Sequence, residues 1–310
     1  MSFAFIFPGQ GSQSVGMLAE LAASFPVVEE TFAEASAALG YDLWKLVQDG
    51  PAEDLNSTDR TQPAMLTAGV ACWRAWQQQG GANPAVMAGH SLGEYTALVC
   101  AGVMALADAV TLVADRGRFM QAAVPEGEGA MAAILGLADE DVIAVCEEAA
   151  QGDVLSAVNF NSPGQVVIAG SAAAVERAAP MAKERGAKRA VILPVSVPSH
   201  CALMAPAATK LADRLSSISF NGPSIPVINN ADVAAPTATD AICAALVKQL
   251  DHPVRWVETI NKMAADGVDT VIECGPGKVL VGLNKRINKE MQALPLFDAE
   301  TLNAAIGATK

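Results

Sequence analysis

The chain has 310 residues, 52% hydrophobic and only 17% charged, which gives it length for one large or two ordinary domains with a well-buried core and excludes a disordered chain. A formal net charge of −13 speaks against nucleic acid and anionic membrane as main partners, because phosphate surfaces reward clustered lysine and arginine. The six cysteines (72, 100, 146, 201, 243, 274) lack CxxC spacing and read as reduced core residues; with no signal-like amino terminus and no membrane-length apolar run, a cytoplasmic protein is expected.

Phe3 to Phe7 is a continuous apolar run ended by Pro8-Gly9, the pattern of a buried strand feeding the loop Gly9-Gln10-Gly11-Ser12-Gln13. Helical segments follow to about residue 80, then the apolar run Ala85-Val86-Met87-Ala88, then helical sequence from about 93 to 122. From Gly129 the pattern changes: strand 129–136, helix about 139–150, strand 154–160, strand 165–169, helix about 171–185 and strand 188–195. This β-α-β-β-α-β order predicts a ferredoxin-like subdomain over residues 127–197, inserted into a large α/β domain formed by 1–126 and 198–310. A helix near 200–216, a strand at Ile225–Ile228, helices over about 238–265, a strand at Thr270–Glu273 and the turn Gly275-Pro276-Gly277 complete the prediction. Short apolar runs alternating with alanine-rich helical stretches favour a parallel sheet for the large domain.

Gly89-His90-Ser91-Leu92-Gly93, between a strand and an unbroken helical run, has the spacing of a nucleophile elbow. A serine there stands exposed above the sheet on a strained turn, and glycines two residues to either side allow the strand and helix to approach closely. The amide of Leu92 is placed to donate to an oxyanion. The bland alternative is an ordinary Gly-Ser turn. The large domain is accordingly read as α/β-hydrolase-like, and the groove between it and the small subdomain as the ligand site.

Serine needs a base, and the chain has three histidines. The side chain of His90 is expected to point away from that of Ser91, as a packing or hydrogen-bonding neighbour. His252, in Leu250-Asp251-His252-Pro253, reads as a loop or helix-end residue. His200 is the best base: it follows the strand-like run Val191 to Val197 and is predicted to open a helix whose positive end keeps the imidazole neutral. Its alternative is a helix-cap hydrogen bond. Spacing selects no acidic third member.

In the segment 106–120, Leu106, Ala109, Val110, Val113, Gly117 and Met120 share one helical face; Arg116 lies at its edge and Arg118 opposite. Arg116 therefore points inward, and Asp115, further around the helix, cannot neutralise it. Its counter-charge is either an Asp or Glu across the core or a substrate carboxylate held by the guanidinium fork.

Other motifs fail. Gly275-Pro276-Gly277-Lys278 has Ile272 and Val279 where a phosphate loop needs Gly and Ser or Thr, and Gly9-Gln10-Gly11 has Ser14 where a dinucleotide fingerprint wants Gly or Ala. No metal spacing is recognisable and no cofactor is implied. Two basic clusters, Lys183, Arg185, Lys188 and Arg189, and Lys285, Arg286 and Lys289, are either solvated helix surface or docking points for an acidic ligand.

Nearly the whole chain resembles the malonyl-CoA:acyl carrier protein transacylases of type II fatty-acid synthesis. The resemblance rests on Phe7-Pro8-Gly9-Gln10-Gly11-Ser12-Gln13, Thr61-Gln62-Pro63-Ala64, Gly89 to Tyr95, Arg116-Gly117, Asn159 to Gln165, Val197-Pro198-Ser199-His200 and Glu273 to Lys278. It implies that Ser91 is acylated, His200 is the general base and Arg116 binds the malonyl carboxylate. It further implies that the amides of Gln10 and Leu92 form the oxyanion hole and that the carbonyl of Gln249 orients His200. Malonyl-CoA and acyl carrier protein are the partners it implies, with a monomer as the default. The alternatives are a serine thioesterase or esterase, a methylmalonyl-selective acyltransferase, and an inactive subunit that binds carrier protein.

Overall fold

The computed structural model describes residues 2–195 and 197–310. It contains two sheets among the described residues: a parallel five-stranded one and an antiparallel four-stranded one. Ser196, within the predicted extended run Val191 to Val197, and Met1 lie outside the described residues.

The parallel sheet is built from β1 (Phe3–Phe7), β2 (Val86–Gly89), β7 (Val227–Ile228), β8 (Thr270–Cys274) and β9 (Gln292–Leu296), in the order β7-β2-β1-β8-β9. Central β1 is buried at all five positions, and its period of two divides it between two cores. Phe3, Phe5 and Phe7 face the helix Thr58–Gln78, where the Phe5 ring meets Trp73 and Trp76 edge-on at 5.3 and 5.1 Å. Ala4 and Ile6 face the other way, into the cluster of Trp256, Ile260 and Leu280. A strand covered on both faces reads as an unbroken apolar run, and each buried aromatic contributes about 1.5–3 kcal/mol.

The antiparallel sheet takes β3 (Gly129–Leu135), β4 (Leu155–Ser162), β5 (Gln165–Ser171) and β6 (Arg189–Ile192) in the order β4-β5-β3-β6. Helices Asp139–Ala150 and Ala172–Glu184 cover one face, pressing Val142, Val145, Val175 and Ala178 onto Ala132, Ile134, Val166 and Ile168. The opposite face, Met131, Val158, Val167 and Ala169, packs on Cys201, next to His200. The small sheet is thus one wall of the site, tied to the large body by reciprocal backbone bonds: Val254 N donates to Val158 O (2.8 Å) and Phe160 N to Val254 O (3.0 Å).

Some predicted elements differ in detail. The helical stretch 93–122 is two helices, Gly93–Cys100 and Leu106–Ala123, parted at Gly102, whose φ is 77°. The stretch 238–265 is also two, Thr239–Gln249 and Trp256–Ala265, because Pro253 cannot continue a helix. Beyond Gly277, the last predicted turn, the chain adds the helix Val279–Ile287, β9 and the helix Ala299–Ala308. β9 contains Pro295, which argues against a central strand and is tolerated because β9 is an edge.

Candidate active site

The parallel strand β2 delivers Ser91 at the head of the helix Gly93–Cys100, with φ of 51° in the left-handed region that side chains avoid. Two close approaches hold this turn. A Cβ on Gly89 would lie 1.8 Å from the Gly93 carbonyl carbon, and one on Gly93 would lie 2.0 Å from the Phe7 oxygen, so both positions require glycine. Asn230 clasps the turn from the loop after β7: its Oδ1 accepts from Ser91 N at 2.7 Å and its Nδ2 donates to Gly89 O at 2.6 Å. The Ser91 amide is thereby engaged. Leu92 is the N-cap of the following helix, where amides have no intrahelical acceptor. A Cβ on Gly9 would come within 2.6 Å of the His90 oxygen, so the loop bearing Gln10 runs against the elbow.

His200 is 3% exposed, and its Nε2 lies 2.8 Å from Ser91 Oγ. Its Nδ1 is 2.7 Å from the backbone oxygen of Gln249. A carbonyl can only accept, so the proton is on Nδ1 and the Nε2 lone pair faces the serine hydroxyl. A backbone carbonyl therefore stands where a triad acid would. His200 itself sits in a turn with φ of 66°, its N–H donating to Leu250 O at 3.0 Å; the helix Ala205–Leu215 begins only after a short 3-10 turn. The predicted helix-end effect is not the cause of its neutrality. Burial first, and the Arg116 charge second, push its pKa down to about 3.

Arg116 comes inward from the helix Leu106–Ala123 and is fully buried. Its Nη1 donates to Gln62 Oε1 at 2.8 Å, and its Nη2 to Gln249 Oε1 at 3.0 Å and to Ser91 Oγ at 3.5 Å. The guanidinium lies over the Tyr95 ring at 5.3 Å. Each of these partners is neutral, and Nε has no partner among the described residues. Asp115 is committed to Arg118 and to Arg214 at 2.8 Å. A buried cation with amide oxygens for neighbours can accept a carboxylate beside the serine.

Four residues at the site escaped the sequence reading: Gln62, Glu94, Asn230 and the side chain of Gln249. Gln249 Nε2 donates to Ser91 O at 2.9 Å and to Glu94 Oε2 at 2.8 Å, and Asn230 N donates to the same carboxylate oxygen at 2.9 Å. Burial pushes Glu94 up to about 7. Gln62 and Glu94 do carry a signal, a polar side chain on an otherwise apolar helix face.

His90 turns away from Ser91 as expected, with Nε2 2.7 Å from Asn161 Oδ1 on β4 and its ring beside Trp256 at 5.5 Å. His252 pairs with Asp251 at 2.6 Å in the exposed turn between two helices. In the basic clusters, Arg185 pairs with Glu148, and Arg286 donates to Gln165 Oε1 at 2.6 Å. Among the described residues no group of three or more His, Cys, Asp or Glu side chains is gathered as for a metal ion.

A family model described as the acyl transferase domain matches residues 4–300. The malonyl CoA-acyl carrier protein transacylase of Escherichia coli K12 is 65% identical over 304 residues, covering 98% of both chains. A crystal structure of an acyl carrier protein S-malonyltransferase from Vibrio cholerae superposes with a TM-score of 0.97 at 62% identity, covering 98% of this chain and 100% of that one. A solved complex of a malonyl-transacylase with its type II polyketide-synthase acyl-carrier protein gives 0.98 at 58% identity, covering 99% and 100%.

Proposed function

The chain belongs to the malonyl-CoA:acyl carrier protein transacylases of the acyl transferase domain family and transfers malonyl groups in fatty-acid synthesis, and we propose that it does so through a malonyl ester on Ser91. The observation that carries this reading is the convergence on one oxygen: His200 Nε2 at 2.8 Å and Arg116 Nη2, with no carboxylate bonded to it directly, at 3.5 Å both face Ser91 Oγ.

The steps follow from these positions. His200 Nε2 takes the Ser91 proton as Oγ attacks the thioester carbonyl of malonyl-CoA. The amides of Gln10 and Leu92 hold the oxyanion, and Gln249 O stabilises the imidazolium through Nδ1–H. The carbon–sulfur bond breaks, the CoA sulfur takes the proton from Nε2, and malonyl-Ser91 remains. The phosphopantetheine thiol of acyl carrier protein then gives its proton to His200, attacks the ester carbonyl and releases Ser91, so the kinetics are ping-pong. Arg116 grips the malonyl carboxylate throughout. Pairing it also quiets the charge that depresses His200, so the correct substrate strengthens the base that attacks with it.

The architecture supports the finer reading of residues 127–197 as a ferredoxin-like subdomain inserted into an α/β-hydrolase-like body of 1–126 and 198–310. Its support is the β-α-β-β-α-β order with antiparallel pairing β4-β5-β3-β6. Ser91, His200 and Arg116 belong to one chain, which suits a monomer, and six unpaired cysteines suit the cytoplasm. The net charge of −13 suits neither nucleic acid nor membrane as a partner.

The test is intact-protein mass spectrometry after mixing with malonyl-, methylmalonyl- and acetyl-CoA in parallel. A persistent malonyl adduct on the Ser91 peptide that discharges on adding holo carrier protein is expected. Rapid malonate release with no adduct would make the protein a thioesterase, and equal labelling by methylmalonyl-CoA would widen its substrate class.

A further inference from the structure

We propose that Glu94 is a positioning residue for acyl selection, fixing through the Gln249 amide how Arg116 is presented to the substrate carboxylate. The proposal rests on the reading of Arg116 given above.

A primary amide has a donor end and an acceptor end, and its surroundings decide which faces where. Gln249 Nε2 meets the Glu94 carboxylate at 2.8 Å and the Ser91 carbonyl at 2.9 Å; both only accept when Glu94 is ionised. Its Oε1 therefore faces Arg116, at 3.0 Å. Reversing the amide would set oxygen against a carboxylate and N–H groups against a guanidinium. Glu94, Gln249 and Arg116 thus form a polarised chain from anion through amide to cation, all three fully or almost fully buried.

The interposed amide matters because a carboxylate bonded directly to Arg116 would compete with malonate for the same N–H groups. At one remove, Glu94 balances the buried cation and orients it while leaving the side next to Ser91 unneutralised. Among the described residues, nothing else packed around the carboxylate supplies this charge. Tyr95 on the same helix is pushed up to about 12 by burial and stays neutral, and Asp232 is engaged with Lys248 at 2.5 Å. Asn230 N gives Glu94 its remaining hydrogen bond, at 2.9 Å.

Burial holds the Glu94 carboxyl near 7, so the relay ends in a full negative charge above that pH and loses it below, when a neutral Glu94 still accepts from the amide but no longer balances or polarises the chain to Arg116. The readout is the ratio of kcat/KM for acylation by malonyl-CoA to that by acetyl-CoA, measured by rapid quench from pH 5.5 to 8.5. Both donors carry the same CoA and use the same His200, so phosphate and imidazole titrations largely cancel in the ratio. In the wild type the ratio should fall about fivefold as pH drops through 7. In Glu94→Gln it should be low and flat across the range, with KM for malonyl-CoA raised and malonyl transfer losing more than acetyl transfer. Equal losses for both donors would reduce Glu94 to a structural residue, and an unchanged ratio in the variant would also overturn the proposal. Should the variant not fold, a wild-type ratio flat across pH 7 overturns it alone. Arg116→Ala run in parallel separates the two claims: if it shifts the ratio and Glu94→Gln does not, only this inference falls; if it does not shift the ratio, the carboxylate reading falls first.

Discussion

Arg116 keeps its charge where desolvation works against it: burial lowers its pKa, and its hydrogen-bond partners are the oxygens of Gln62, Gln249 and Ser91. Such an arrangement is costly unless an anion completes it. Arg116→Ala should therefore reduce acylation by malonyl-CoA roughly ten- to hundredfold more than acylation by acetyl-CoA, the range of one lost charged hydrogen bond at about 1.5–3 kcal/mol. Stopped-flow acylation with both donors checks this, and equal losses would remove Arg116 from carboxylate recognition. The inward direction of Arg116 is legible in the sequence because helical periodicity fixes a side chain's face, and Ser91 because its turn demands flanking glycines. The partner of His200 is not, since a backbone carbonyl leaves no mark in the residue alphabet; only family resemblance pointed to Gln249. Asn230 is equally silent, and Glu94 shows only its misplaced polarity, because their roles depend on contacts 139 and 155 positions away in the chain, to Ser91 and Gln249.

The elbow works as an element because two backbones nearly touch. With a Cβ on Gly93 only 2.0 Å from the Phe7 oxygen, Gly93→Ala must separate the helix Gly93–Cys100 from β1. A cost of about 3 kcal/mol or more is expected, a melting temperature lower by about 5 °C or more, and loss of Ser91 labelling by malonyl-CoA before the fold is lost. Unaltered labelling in the variant would mean that the turn tolerates the shift. A second element carries a pH dependence. Glu273, at the end of β8, accepts from Val281 N at 2.7 Å near the start of the helix Val279–Ile287, and burial pushes it up to about 7. A carboxyl whose folded pKa exceeds its ordinary value of 4.5 contributes stability that is full below 4.5 and is lost as pH rises through about 7. The melting temperature of the wild type relative to Glu273→Gln should thus decline between pH 5.5 and 8, as differential scanning calorimetry can measure; a constant difference would mean that Glu273 does not titrate there. Strands β1 and β8 are readable from apolar runs, whereas β9 is masked by Pro295 and the helix breaks at Gly102 and Pro253 are hidden inside periodic stretches.

At the scale of the whole molecule, a chain of net charge −13 must still receive the phosphates of CoA and of the carrier's phosphopantetheine arm, so local basic surface has to offset long-range repulsion. Lys285 and Arg286 lie in the last turn of the helix Val279–Ile287, which faces β4 and β9, and Arg286 reaches the antiparallel sheet through Gln165 on β5 at 2.6 Å. The cluster therefore bridges the two sheets whose junction holds His90, Asn161 and Ser91. Of the two substrates, CoA is small, whereas a folded carrier must rest against the surface for its phosphopantetheine arm to reach Ser91. The combined charge reversal Lys285→Glu, Arg286→Glu should consequently raise KM for carrier protein about tenfold at low ionic strength, leave formation of malonyl-Ser91 from malonyl-CoA within about twofold, and lose most of its effect at high salt, where the Debye length falls to about 3 Å. Reversal also breaks the Arg286–Gln165 bond, so Gln165→Ala serves as the control: a matching defect there would assign the effect to the junction between sheets, and unchanged carrier kinetics in the charge-reversed protein would rule this cluster out as the docking surface.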